Sequence, residues 1–209
     1  VLLIFCIPYL SYSNFRIKPR KGFSILFISI ISSVILLNFS LLTVLGTLLL
    51  IATLLINNKK IYPYFYGSSF TLLNIEIFNT LNLNIFDFFL NYLFPISLVS
   101  GVFSSMMIGH WFLVDPTISK EGMKKIAITS TFQSLILTPL VFFEFIGQDI
   151  ESIFKNVILI LFLSTSILSF ASYKSLGEKS YTGVMASTGL SYLSLIVSLG
   201  ASGGLLLLS

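Results

Sequence analysis

The chain has 209 residues, of which 56% are hydrophobic and only 10% are charged, and its formal net charge is +4. Soluble domains carry about 25% charged residues, so this chain cannot cover a globular surface with polar groups, and part of its solvent must be lipid. The basic residues stand in short clusters between apolar runs. That pattern favours membrane orientation and argues against nucleic-acid binding.

The apolar runs predict an all-α bundle of transmembrane helices that forms a single domain over residues 1–209. Val1–Ser11 is interpreted as the end of a partial first span. The next stretch, Gly22–Asn57, is too long for one crossing of about 20 residues. Because it has a polar break at Asn38 and Ser40, it predicts a hairpin of two short helices.

The stretch Ile61–Asn84 is ambiguous, because asparagine and glutamate side chains recur among its apolar residues. Polar groups are costly when they face lipid. The stretch is therefore either a span with a polar face turned into the bundle, or an interfacial or re-entrant helix.

The central span is predicted at Ile85–Val114, which contains the only histidine and the only tryptophan of the chain. Further spans are predicted at Ile126–Ile146, Phe154–Tyr173 and Tyr181–Leu208. The total is about eight spans, or seven if Ile61–Asn84 is interfacial.

The basic residues predict the orientation of these spans in a bacterial cytoplasmic membrane. If Ile61–Asn84 crosses, all basic residues but one lie in loops on the cytoplasmic side, as the positive-inside rule requires. The exception is Lys155, at a span end where its side chain can reach water. The residues assigned to the cytoplasmic side are Arg16, Lys18, Arg20, Lys21, Lys59, Lys60, Lys120, Lys124, Lys125, Lys174 and Lys179.

Two spans carry small residues at four-residue spacing, which lets helix backbones approach closely in lipid. These rows predict that both helices lie inside the bundle. The first row is Ser97, Gly101, Ser105 and Gly109, and the second is Gly183, Ser187 and Ser191.

His110 and Trp111 lie at the end of the first row, with Asp115 about one turn beyond. One interpretation is a proton-handling or ligand-binding pair of His110 and Asp115, because ionisable groups inside membranes are usually functional. The other is an interfacial His-Trp pair that anchors the helix end. A separate polar path for a small molecule or ion would use Glu76, Asn79, Gln133 and His110.

Cofactor and catalytic motifs are sparse. One histidine cannot supply both axial ligands, so a bis-histidine haem within this chain is excluded, whereas a lipid or quinone ligand stays open. The single Cys6 excludes an intrachain disulfide. There is no nucleotide-binding, catalytic-triad or metal motif, which argues against an enzyme.

The segment Met106–Pro116 (MMIGHWFLVDP) resembles a group of uncharacterised bacterial multi-spanning membrane proteins that carry a G-H-W-aromatic-L segment at a helix end. Val184–Tyr192 (VMASTGLSY) is similar to a second segment of that group. The resemblance implies no activity, but it directs attention to His110 and Trp111.

Three functions follow as hypotheses. The first is a non-catalytic helical subunit of a larger membrane assembly, such as a respiratory complex, with membrane lipids and other subunits or further copies as partners. The second is a small-molecule or ion transporter that uses Glu76 and His110. The third is a quinone- or haem-associated membrane protein.

Overall fold

The computed structural model describes residues 21–37, 39–55, 61–81, 84–116, 119–178 and 180–208. Within these ranges the chain forms seven helices and no strand, which confirms the all-α prediction. The partial first span lies outside them, as do six basic residues of the predicted cytoplasmic loops: Arg16, Lys18, Arg20, Lys59, Lys60 and Lys179. The helices, named α1 to α7 in chain order, are Lys21–Leu37, Leu41–Leu55, Tyr62–Leu81, Ile85–Val114, Glu121–Phe142, Ser152–Ser175 and Tyr181–Leu208.

Four of the described helices, α4 to α7, are long and apolar enough to cross a membrane, which is compatible with an integral membrane protein. Helices α1 and α2 have 17 and 15 residues, fewer than the about 20 that a crossing needs. Helix α3 has 20 residues, but because of its polar side chains it is not apolar enough to count among the four candidate spans. The expected count of about eight spans is therefore not confirmed.

The predicted break between α1 and α2 has a local cause. Phe39 and Ser40 are not helical, and Ser40 Oγ accepts a hydrogen bond of 3.1 Å from the backbone N–H of Thr43. A serine in this position satisfies one of the free N–H groups at a helix start, so Ser40 caps α2.

Helix α4 begins and ends at the predicted residues but contains a wider π-helical turn at Phe88–Leu93. Pro95 follows this turn, and because proline has no N–H, the regular hydrogen bond to the carbonyl of Asn91 cannot form. The turn absorbs that interruption. The helix then continues to Val114 and stops before Pro116, which disfavours helical backbone at Asp115.

Helix α5 differs most from its predicted span, because it begins at Glu121 and ends at Phe142 instead of running from Ile126 to Ile146. Charged residues continue a helix beyond its apolar part when their side chains reach water. At the other end, Glu144 and Gly147 have φ angles of 59° and 68°, and this left-handed backbone ends the helix.

The four long helices form a closed ring in which α4 contacts α5 and α7, and α6 contacts α5 and α7. One end of the ring has an apolar core that includes Leu98, Leu137, Phe162 and Leu205. The shorter helices contribute to a second core, which includes Phe27 of α1, Leu50 of α2 and Leu73 of α3 and reaches Ile108 of α4.

Candidate functional site

His110 and Asp115 lie on different sides of the end of α4. Five residues correspond to about 140° around a helix. His110 is exposed, whereas Asp115 is buried with 5% of its surface exposed. The two side chains that were predicted as a pair therefore face different surroundings.

Trp111 packs inward from the same turn. A Cβ atom at Gly22 of α1 would lie 2.9 Å from Cζ2 of the Trp111 ring, so only glycine fits there without a shift of the ring. Trp111 is half-buried and joins α1 to the end of α4.

The predicted polar path is dispersed over the surface and the helix interfaces. On α3, Glu76 is half-buried and Asn79 is exposed. On α5, Gln133 donates a hydrogen bond of 2.7 Å from Nε2 to Ser97 Oγ. The structure thus joins Gln133 to the small-residue row of α4.

That row lies against α5 and α7. Gly101 and Ser105 are buried, and a Cβ atom at Gly109 would contact the side chain of Thr188 and lie 3.0 Å from Cε of Met123. The backbones of α4 and α7 can approach only because position 109 has no side chain.

The row on α7 lies against α6. A Cβ atom at Gly183 would lie 2.5 Å from the carbonyl oxygen of Ser175. Ser187 Oγ lies 2.7 Å from Ser172 Oγ, and Ser191 Oγ lies 3.2 Å from the same hydroxyl. Ser105 of α4 then lies 3.5 Å from Ser191, so hydroxyls of three helices form one chain.

Hydroxyl contacts made by α5 and α6 were not predicted from the sequence. Ser134 Oγ donates to the carbonyl of Phe162 at 2.5 Å, and Ser169 Oγ lies 2.9 Å from Ser194 Oγ. The signal was present as hydroxyl residues three and four apart, at Ser130 and Ser134 on α5 and at Ser169 and Ser172 on α6.

An apolar groove of about 400 Å³ opens between α3 and the first turns of α4. The π-helical turn supplies one wall, and Phe88 meets Phe78 edge-on with 5.3 Å between ring centres. The groove is lined by Phe70, Thr71, Asn74, Ile75, Phe78, Ile85, Phe88, Phe89 and Leu93. His110 is not among these residues, so the groove and the histidine are separate features.

An ion pair joins the α5–α6 turn to the first turn of α6. Lys155 Nζ lies 2.5 Å from Glu144 Oε1. The hydrogen bond from Lys155, together with its positive charge, lowers the pKa of the Glu144 carboxyl from its ordinary value of 4.5. Lys155, the one exception to the predicted charge distribution, therefore has a local partner.

Metal binding finds no support in the described residues, where no group of three or more His, Cys, Asp or Glu side chains could hold an ion. No family model, curated protein or solved structure matches the chain.

Proposed function

We propose that this chain is a non-catalytic helical subunit of a larger assembly in the bacterial cytoplasmic membrane. The observation that carries the proposal is an unused close-packing face on the outside of α7. A Cβ atom at Gly189 or Gly203 would meet no atom within 4 Å among the described residues, and one at Gly200 would meet only Leu161, at 3.5 Å.

These three glycines share one face of α7, since they lie within about 60° of one another at 100° per residue. The same face carries Leu193 and Ile196, which are 54% and 66% exposed. Small residues among large apolar ones let a second helix approach closely in lipid. The inner glycines of α7 and α4 already serve contacts within the chain, so the outer ones are available to another subunit.

The interior of the bundle supports an assembly role over transport of a polar substrate. Drug-sized ligands occupy pockets of about 300–1,000 Å³. At the centre of the ring, the side chains enclose a cavity of only about 10 Å³. The hydroxyls around it are engaged mainly with one another or with helix carbonyls.

The cytoplasmic placement of one end of the bundle is part of the proposal. Lys120 Nζ donates hydrogen bonds of 2.8 and 3.3 Å to the carbonyls of Glu178 and Ser180. The α4–α5 and α6–α7 connections therefore meet at one end, which also bears Lys124, Lys125 and Lys174. Positive charge at one end favours the cytoplasmic side.

The test is purification of the full chain from its native membrane in mild detergent. Wild-type protein should come with partner subunits, and Gly189→Leu and Gly203→Leu should release them, because a leucine there blocks close approach of a helix. The matched control is Ile160→Phe, which adds bulk to an exposed position of α6 that is 63% exposed.

Recovery of the wild-type chain as a monomer without partners would contradict the proposal. So would an assembly that is unchanged in both glycine variants but lost in Ile160→Phe.

A second function, association with a quinone or a similar long apolar molecule, is favoured by the groove between α3 and α4. Seven of its nine lining residues are apolar or aromatic, and Thr71 and Asn74 are the polar ones. The groove opens to the side, where the tail of such a molecule could enter from lipid. Phe89, which is 52% exposed, lies at the opening.

Extraction of the purified protein and mass spectrometry of the extract would test this second function. A quinone should be recovered from the wild type and depleted in Ile75→Trp, which fills the groove. Equal recovery from both proteins, or recovery of phospholipid alone, would contradict it.

A further inference from the structure

The four long helices bring five serines to one small cavity at the centre of the ring. Ser105 comes from α4, Ser130 from α5, Ser169 and Ser172 from α6, and Ser191 from α7, and the remaining walls are Val102 and Ala127. The cavity has a volume of about 10 Å³, at the lower end of the about 10–15 Å³ that a single water needs.

Ser130 distinguishes this cavity from an ordinary row of small residues. Its side chain is 1% exposed, and its Oγ has no hydrogen-bond partner among the described residues. Buried hydroxyls are normally paired, because a hydroxyl removed from water without a new partner is unfavourable. The structure therefore places an unsatisfied donor and acceptor on the cavity wall.

Hydroxyls on three of the helices can serve a further partner. Each serine has one donor and two acceptor positions. Ser172 Oγ is fully engaged by Ser187 and Ser191, whereas the contact from Ser169 to Ser194 uses one position of the Ser169 oxygen. The contact between Ser105 and Ser191 is long, at 3.5 Å, which leaves Ser105 with capacity toward the cavity, and Ser191 keeps one position beyond its contacts with Ser105 and Ser172.

We propose that this cavity is a binding site for one ordered water molecule, which bonds to Ser130 and to serines of the neighbouring helices. A buried water commonly makes two to four hydrogen bonds, and oxygens from all four helices line the site. The lining residues carry no charge, so the site fits a neutral ligand better than a cation. With the water bound, the hydroxyls of α4 to α7 form one hydrogen-bonded network.

Substitution of Ser130 distinguishes a water-filled cavity from a dry one, because the two cases predict changes of opposite sign in the unfolding temperature. If water is bound, Ser130→Ala removes one of its partners, and the unfolding temperature should fall by about 2–4 °C. If the cavity is dry, the same change removes an unsatisfied hydroxyl, and the unfolding temperature should rise. Ser68→Ala is the matched control, since Ser68 is exposed on α3 and its hydroxyl donates to carbonyls of its own helix.

A second variant keeps the proposal testable if Ser130→Ala does not fold. Ala127→Val fills the cavity from the same helix. If water is bound, the larger side chain displaces it, and the unfolding temperature should fall. If the cavity is dry, the side chain fills a void, and the unfolding temperature should rise. A density map at high resolution should show one peak at hydrogen-bond distance from Ser130 Oγ. A dry cavity, a metal ion in its place, or a rise in unfolding temperature for either variant would overturn the proposal.

Discussion

The helices pack differently inside the α4–α7 ring and at the junction of α3 with α4. Inside the ring, glycines and serines let the backbones approach, and the space that remains at the centre is about 10 Å³. At the junction, Phe78 and Phe88 hold the helices apart, and a groove of about 400 Å³ opens to the side. Small residues thus close the ring, whereas large aromatic ones leave a site that a flexible apolar molecule can fill.

The difference matters because lipid is as apolar as a leucine side chain, so burial alone does not drive helices together in a membrane. Close contact and hydrogen bonds between helices must do so. The ring has both, through Gly109 and through the hydroxyl pairs. Among the described residues that line the groove, neither a glycine contact nor a hydrogen bond joins α3 to α4, and we expect the junction to be the weaker and more adaptable region.

Deletion of one aromatic ring in each region tests this comparison most strongly. Phe162 in the ring is 0% exposed, and Phe162→Ala should lower the free energy of unfolding by about 3–5 kcal/mol, the usual cost of such a cavity. Phe88 at the junction is 3% exposed, but it lines the open groove, where neighbouring groups can move into the space that the ring leaves, so Phe88→Ala should cost less than the lower end of that range. Reversible unfolding of both variants in lipid–detergent mixtures measures the two losses, and equal losses would contradict the comparison.

The tight approach inside the ring can be broken by adding a side chain. Gly109→Leu should lower the free energy of unfolding by about 1–3 kcal/mol, the range for overpacked interiors, because the new side chain would overlap Thr188. Gly67→Leu is the control, since a Cβ atom at Gly67 meets nothing within 4 Å among the described residues. Thermal unfolding of the two variants should differ clearly, and similar curves would show that α4 and α7 can separate without cost.

The hydroxyl pairs are expected to make a smaller contribution. A double-mutant cycle on Ser172 and Ser187, whose oxygens are 2.7 Å apart, should give a coupling of about 0.6 kcal/mol, the average for hydrogen bonds between membrane helices. Ser172→Ala, Ser187→Ala and the double variant supply the cycle. A coupling near zero would mean that the serines act only through their small size.

The smallest effect is expected at the α5–α6 turn, where the Lys155 hydrogen bond lowers the pKa of Glu144. A carboxyl whose pKa is lower in the folded protein stabilises it above the ordinary carboxyl pKa, and this stabilisation is lost as the pH falls through the lowered pKa. Unfolding temperature measured from pH 6 downward should therefore show a slight extra decrease in the acid range. Glu144→Gln should lack this decrease, and an identical pH profile in the two proteins would contradict the assignment.

Much of the helical structure follows from the linear sequence. Helix α7 has the predicted bounds Tyr181–Leu208, and α4 runs from Ile85 to Val114 as expected, because polar or turn-forming residues flank each apolar run. The bounds of α5 were wrong by four or five residues at both ends, since Glu121 and its lysine neighbours are polar yet helical. The π-helical turn at Phe88–Leu93 was not predicted, although Pro95 marks the position where a regular helical hydrogen bond is missing.

The direction in which each side chain points was far less predictable. In a soluble helix one apolar stripe marks the buried face. Lipid and protein interior are both apolar, so a membrane helix is apolar on most faces and its sequence does not show which face is buried. Hence spacing could identify Gly109 and Ser191 as packing residues, but it could not show that Ser130 would meet them from α5 or that His110 would face outward.

The sequence by itself determined an all-helical chain with long apolar segments and two rows of small residues, because these properties depend only on composition and local spacing. Tertiary structure alone decided that Gln133 bonds to Ser97, that five serines surround one cavity, and that no described residue lies within 4 Å of a Cβ atom placed at Gly189 or Gly203. Those features depend on how each helix is rotated about its axis, and that rotation is set by contacts with neighbouring helices.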